Sequence, residues 1–522
     1  MRSTFHSLET AKRALFTQQA AIQTTGHNIS NANSPGYSRQ LVNMQATRPI
    51  EAVGMSHSAA PGQLGTGVEF TSITRVREQF LDSQYRNQSQ DAGKWNIQAD
   101  TLDKLEAIFN EPSDTGIRTV MDKLWTSWSD LAKDPENVTG RKIVRENAIA
   151  LADTFNLTSK QLTDMSNDLN TNIGVKAGQI NSYLSSIANL NHDIARISGY
   201  GDSPNDLMDQ RDLLTDQLSK IINISVTNTP QGYNISMGGT QLVNNDTYTA
   251  VDAAALESAF SGGSGGDLTS GEVYGMLKSR DVYVKSYQQQ LDTLANSIAN
   301  GTFTVTLPQG TVLPEGTTLD GVTYTGANRT LTSPLTVKVN GMNELHKMGY
   351  TLQNPPTAGD NFFVSSDGGP ITASTFKLNP VIQNSPDAIA TSMRTAGTPE
   401  QVVPGNNTLA MLMAKLRDTK IQFVTPDGST PGISNGLISD YYNSIIGQLG
   451  VQSEDAQRQA SNQNSLLSNI DGRRQSVSGV SLDEEMSNLI KFQHAYNAAA
   501  RAMTTFDDLL DRVINGMGHV GR

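Results

Sequence analysis

LDEEMSNLIKFQHAYNAAARAMTTFDDLLDRV, residues 482–513, repeats its apolar side chains every seven positions: Leu482, Leu489, Tyr496, Met503 and Leu510 form one row. A second row lies three residues behind, through Phe492, Ala499, Phe506 and Val513, and together they make the a and d seam of a coiled coil. The other end of the chain has the same period in Leu8, Leu15, Ile22 and Ile29. A single amphipathic helix cannot bury its stripe alone, so the two ends must pair with each other or with neighbouring subunits. A terminal helix at this spacing can also simply close a monomer's own core. The narrow stripes, flanked by Gln18, Gln19, Gln493 and Asn497, favour packing between subunits and hence an assembly protein.

Between these ends lies too much chain for one core: 522 residues divide into about three or four domains on the usual size prior. The net charge of -12 argues against general nucleic-acid binding. It is unevenly spread. Residues 1–50 carry five basic residues and one acid, Glu9, whereas the stretch from Gln475 onward carries six acids and four bases, so modest attraction between the terminal helices is expected. The chain has no cysteine, which suits a reducing compartment or a protein that leaves the cell unfolded. Arg2, Lys12 and Arg13 interrupt any signal-peptide-like apolar run, and no stretch is long and apolar enough to span a membrane.

Moving inward, a first helix is expected over about residues 4–30, stopped by Asn31-Ala32-Asn33-Ser34-Pro35-Gly36-Tyr37. Gln40 to Thr74 reads as an extended connector with short strands. Helical periodicity dominates from Arg75 to Ile197, with Trp95, Trp125 and Trp128 expected in a bundle core. A short helix through Leu207, Leu214, Leu218 and Ile221 precedes a small sheet near 222–250. Gly262-Gly263-Ser264-Gly265-Gly266 reads as a flexible joint before a helix at about 270–300. The Thr-, Val-, Gly- and Pro-rich stretch 301–398 reads as a β-rich insertion, after which helical spacing returns.

The fold class expected is therefore multidomain α+β, with terminal helices paired as a coiled coil, a long-helix middle domain carrying a small sheet, and an inserted β-rich outer domain. The boundaries are 1–46 with 475–522 for the terminal domain, 47–300 with 400–474 for the middle, and 301–399 for the insertion.

Nothing in the sequence points to catalysis, a metal or a cofactor. Its seven histidines lack metal-ligand spacing, and each reads as solvated or hydrogen-bonded. Gly62-Gln63-Leu64-Gly65-Thr66-Gly67 lacks the strand-before, helix-after context of a dinucleotide site and reads as a turn. Glu484-Glu485 and Asp507-Asp508 read as solvated helix faces rather than general acid and base.

The segment Thr24 to Gln40, containing Asn28, Asn31, Pro35, Gly36 and Tyr37, closely resembles the N-terminal signature of the bacterial flagellar axial proteins. Its Thr-Gly-His-Asn and Ser-Arg-Gln flanks are more particular to the hook-associated protein 1 branch. Ser478 to Glu485 and Asn488 to Tyr496 resemble that branch's closing helix. Asp206 to Asp212 and Asn343-Glu344-Leu345-His346-Lys347-Met348-Gly349-Tyr350 match further segments, while the block 302–338 departs from many relatives. The resemblance implies a non-enzymatic subunit of the hook–filament junction whose terminal helices line the flagellum's inner tube. It also implies export, unfolded and without a cleaved signal peptide, through the flagellar type III apparatus. The partners implied are the hook protein, the second junction protein, further copies in a helical ring, and a cytosolic export chaperone at the C-terminal helix; neither nucleic acid nor membrane is expected. Leu8, Leu15, Ile22, Ile29, Leu482, Leu489, Phe492, Tyr496, Met503, Phe506 and Leu510 are the expected assembly interface. A hook or rod subunit, a surface adhesin using the β insertion, and a wall-cutting hydrolase are the alternatives.

Overall fold

A computed structural model describes residues 5–49, 65–260, 266–428 and 431–516. Its helices are α1 (His6–Ser30), α2 (Gln79–Phe109), α3 (Ile117–Leu131), α4 (Val138–Ser198), α5 (Asn205–Ile221), α6 (Ala253–Phe260), α7 (Glu272–Lys278), α8 (Lys285–Asn300), α9 (Gly341–Lys347), α10 (Pro380–Asn384), α11 (Thr408–Lys415), α12 (Ile438–Ser478) and α13 (Leu482–Gly516). The long run read from residue 162 to 197 belongs to the single 61-residue helix α4, which at 1.5 Å per residue extends about 90 Å. Gly62, and the glycine joint up to Gly265, lie outside the described residues.

The chain forms two compact units. The first comprises residues 1–94, 174–274 and 461–522. Here β1 (Gln40–Ala46) and β2 (Val68–Arg75) form an antiparallel ribbon, within the span expected to be a connector. Strands β3 (Ser225–Thr229), β4 (Gly232–Met237), β5 (Thr240–Asn244) and β6 (Thr247–Tyr248) form an antiparallel meander in sequential order, where a small sheet was expected. Its inner residues Ile235, Met237, Leu242 and Val243 are buried, as are Ile180, Leu184 and Ile187 of α4.

The second unit comprises residues 95–173 and 275–460. Antiparallel β7 (Thr302–Leu307) and β8 (Leu335–Asn340) pair in full register, and alternate residues Phe303, Val305, Val337 and Val339 point into one buried cluster. That cluster also holds Trp125 and Trp128 of α3, Leu291 and Ile298 of α8, and Leu409 and Met413 of α11. The β-rich stretch thus shares its core with helices on both sides of it in sequence, so these units do not follow the boundaries expected for a separate insertion. The physical reason is that short strands with one apolar face need another layer to cover them. Trp128 is fully buried with its ring 5.5 Å from Phe362, and Phe362 in turn lies 5.4 Å from His346.

Candidate assembly site

The site of interest in the first unit is where the two ends of the chain meet. Helix α1 packs along α13, and Asn28 near its C-terminal end touches Glu485 in the first turn of α13, so the pair is antiparallel. Ala11, Thr17, Ala21, Thr24 and Thr25 are the buried side of α1, and these small residues admit a close approach; Leu8, Leu15, Ile22 and Ile29 are half-buried. On α13, Leu489, Phe492, Met503, Phe506 and Leu510 are half-buried, whereas Leu482 and Tyr496 are exposed. Beside the half-buried row runs a second apolar row at i, i+4 and i+8: Leu482, Met486 and Ile490, exposed by 50, 51 and 52 %.

The sequence between α1 and β1 explains itself residue by residue. Asn31 closes α1 by donating its side-chain amide to the His27 carbonyl (3.1 Å). Residues Ser34 to Tyr37 then make a turn in which the Tyr37 N–H donates to the Ser34 carbonyl, with Pro35 first and Gly36 second at the corner. Gly36 has φ +79°, the left-handed region that such a turn demands, and a Cβ there would lie 2.9 Å from Leu213. The turn delivers the Tyr37 hydroxyl to Asn28 Oδ1 at 2.8 Å, leaving it to accept from His27 Nδ1 at 3.0 Å. Burial, with Asp206, Asp209 and Glu485 nearby, raises the pKa of this phenol and keeps it a donor.

Asn28, 1 % exposed, uses its whole hydrogen-bonding capacity. Its Oδ1 accepts from Tyr37 and from the Gln40 N–H (3.0 Å); its Nδ2 donates to the Gln40 carbonyl (2.9 Å) and to Glu485 Oε2 (3.0 Å). Glu485 takes Arg39 Nε on its other oxygen at 2.8 Å, and Arg39 also reaches Glu484 at 3.0 Å. With 2 % exposure, Glu485 is not the solvated-face residue read from the sequence. An acidic run suits the first turn of a helix, and here one member turns inward because Asn28 and Arg39 wait for it.

Below this clasp lies a second polar layer. Ser38 donates both its N–H (2.9 Å) and its hydroxyl (2.8 Å) to Asp209, and Gln40 donates to Asp206 at 2.8 Å. Asp209, Asp212 and Asp216 occupy one face of α5 at i, i+3 and i+7, and all three are buried. They meet Arg75 at the end of β2, Arg77 just after it, Arg86 from α2 and Arg474 from α12; Asp82 joins Arg77 at 2.6 Å. Four arginines and four aspartates therefore balance in charge. Burial would raise the Asp212 carboxyl, but Arg77, Arg75 and Arg86 outweigh it and hold it well below the usual carboxylate range. Burial likewise opposes the charge on Arg86, yet Asp216 and Asp212 raise its pKa. Tyr233 of β4 donates to Asp212 at 2.6 Å and lies under the Arg211 guanidinium, 3.6 Å from its ring centre. Sequence reading followed α5 through Leu207, Leu214, Leu218 and Ile221 and missed this layer. The signal was present in the 3,4 spacing of Asp209, Asp212 and Asp216 together with Arg75-x-Arg77.

Among the described residues no cluster of His, Cys, Asp and Glu is suited to hold a metal ion, and no helix is long and apolar enough to cross a membrane. What the arrangement does is mechanical: it fixes the terminal pair to the rest of the first unit through directional contacts and leaves an apolar row uncovered.

Comparison with known proteins agrees with this geometry. Residues 102–311 match the family described as the helical domain of flagellar hook-associated protein FlgK. Residues 8–37 match the flagella basal body rod protein family, and residues 473–516 the C-terminal family of the basal body rod FlgEFG proteins. The chain is 34 % identical to flagellar hook-associated protein 1 of Bacillus subtilis, covering 100 % of both chains. It is 26 % identical to that of Escherichia coli, over 97 % of this chain and 99 % of the relative. The solved flagellar hook junction protein FlgK from Burkholderia pseudomallei shares the fold, with a TM-score of 0.51 at 15 % identity over 76 % of this chain and 100 % of the other.

Proposed function

The chain belongs to the flagellar hook-associated protein 1 family, and from that premise we propose how its geometry serves assembly. It is a structural subunit of the bacterial flagellum that joins hook to filament, acting together with other hook and filament components. In the assembled flagellum the terminal pair, 1–46 with 475–522, lines the inner tube. The single observation that carries this reading is the uncovered row Leu482, Met486 and Ile490 on a helix whose adjoining face is already engaged by α1. Apolar area left on a paired helix is stabilised by a further helix, and a repeating heterologous contact between copies supplies one without limit of number. Contacts of the same kind at the ends of the ring serve the hook protein below and the second junction protein above. Before assembly the same row suits an export chaperone, because an uncovered seam aggregates; export proceeds unfolded through the flagellar type III apparatus.

The test is Met486→Asp with Ile490→Asp in the producing bacterium. Expected are hooks without filaments, with flagellin lost to the medium, while the purified variant keeps wild-type helicity. Normal filaments would reject the reading and bring an outward-facing adhesin role forward. Leu489→Asp and Phe492→Asp, on the half-buried row, are expected to abolish assembly by splitting the α1–α13 pair itself.

A further inference from the structure

Given the reading of the uncovered α13 row as a contact between copies, the other half of that contact lies on α1. One side of α1 is buried through Ala11, Thr17, Ala21 and Thr24, and Thr17 donates to the Val68 carbonyl of β2 at 3.3 Å. The residues turned away from these recur as Glu9, Lys12, Phe16, Gln19 and Gln23, spaced by three, four, three and four, and all five are exposed. Phe16 is the apolar member of this outer stripe, 57 % exposed in its middle. On α13 the exposed stripe is Leu482, Met486, Ile490, Gln493 and Asn497, three apolar residues followed by two neutral amides.

Charge selects which helix of the next copy the row meets. Helix α13 carries six acids against three bases, a balance of -3, whereas α1 carries Lys12 and Arg13 against Glu9, a balance of +1. Row against row would set two helices of like charge side by side and, being two-fold, would close at a dimer. Row against α1 joins opposite signs and repeats without closing. We propose that Phe16 of one copy inserts between Met486 and Ile490 of the next, the two helices antiparallel, with Gln19 and Gln23 beside Leu482 and Lys12 beside Gln493. Within one copy Asn28 sits level with Glu485, which sets Phe16 level with Asn497 of its own α13. Reaching Met486 and Ile490 of a neighbour instead displaces the copies by seven to eleven residues along the helix, about 10–16 Å at 1.5 Å per residue. The contact therefore builds a stepped, helical array and not a flat ring.

A chain without cysteine permits a direct test in the full-length protein. Lys12→Cys with Gln493→Cys leaves Phe16, Met486 and Ile490 in place. Oxidation of isolated hook–filament complexes carrying both should link copies into covalent dimers, trimers and longer ladders, while either single variant stays monomeric. Within one copy Lys12 stands level with Arg501, eight residues or about 12 Å along α13 from Gln493, too far for an internal bridge. Separately, Phe16→Asp should remove filaments as Met486→Asp with Ile490→Asp does, and Phe16→Leu should keep them. The Phe16→Asp protein should still reach the medium, and its purified monomer should keep parental helicity and protease resistance of α1 and α13. Dimers from Gln493→Cys alone, a filament-bearing double variant that gives no ladder, or normal filaments in Phe16→Asp would each overturn the proposal. Where the Met486 and Ile490 aspartates have removed the filaments, any of these results dismisses α1 as the partner and leaves the assembly role of the row standing.

Discussion

The two units of this chain hold themselves together by opposite means. The centre of the first is a layer of four arginines and four aspartates topped by the Asn28 clasp; the centre of the second is an apolar cluster in which Trp128, Phe362, Phe363 and Phe376 pack ring to ring. Apolar packing is non-directional and rewards area. A buried ion network contributes little net stability, since desolvation offsets attraction, but each member tolerates only one arrangement of its neighbours. The lesson is that the unit bearing the terminal helices is built to fix an angle, and the other to resist unfolding.

The largest effects should separate the two. Asp212→Ala leaves Arg75, Arg77 and Arg86 without a shared partner and is expected to cost the first unit about 3–5 kcal/mol, the range for breaking a buried pair from one side. Phe362→Ala should cost the second unit a similar ~3–5 kcal/mol through lost burial and a cavity. Denaturant melts followed by hydrogen exchange locate each loss; if either variant destabilised both units equally, the contrast would fail.

A smaller effect probes the clasp. Asn28→Ala strips Glu485 of one donor and orphans the Gln40 N–H, for a loss on the order of 2–3 kcal/mol. The readout is protease cleavage of α1 and α13 ahead of the rest. Cleavage unchanged from the parent would remove the clasp from the account of how the ends are held.

Acid sharpens the same comparison. His346 is buried as the neutral ring, its Nδ1 donating to the Asp360 carbonyl at 2.6 Å and its Nε2 accepting from the Ala390 N–H at 2.8 Å. Burial, reinforced by the Arg141 charge, lowers its pKa to about 4 despite the opposing Asp360 bond. The unfolded chain takes up the proton first, so stability is full above the unfolded value near pH 6.5 and falls as pH drops towards 4. The loss is about 2 kcal/mol at pH 5. The depressed Asp212 works in the other window: its contribution persists until the pH falls below the unfolded carboxylate value of about 3.9. At pH 5 the second unit should therefore weaken, seen as a lower denaturant midpoint by tryptophan fluorescence, and His346→Gln should flatten that response. A midpoint independent of pH between 7 and 5 would contradict it. The smallest effect is the control: Lys104→Ala removes an exposed i, i+4 pair with Asp100 and should change stability by less than about 0.5 kcal/mol.

Much of this was legible in the sequence. Seven-residue periodicity marked α1 and α13, because a helix's apolar spacing is a local property. Asn31, Pro35 and Gly36 could be read as a stop and turn for the same reason, since φ preferences act within a few residues. Less visible was what Asn28, Tyr37 and Glu485 do, since their partners lie up to 457 residues away. Glu485 looked like its neighbour Glu484, and only the approach of Asn28 and Arg39 distinguishes them. The burial of the α5 aspartates was not legible, because arginines from three other elements must arrive before it is tolerable.

By itself, the sequence determined which segments are helices, where the first must turn, and that both ends carry stripes needing cover. The tertiary structure alone decided which acids go inside, that strands 302–340 share a core with α3, α8 and α11, and which row of α13 remains uncovered. The division follows the range of the forces: backbone preference and periodicity act over a few residues, whereas charge pairing and burial depend on neighbours that only the completed fold brings together.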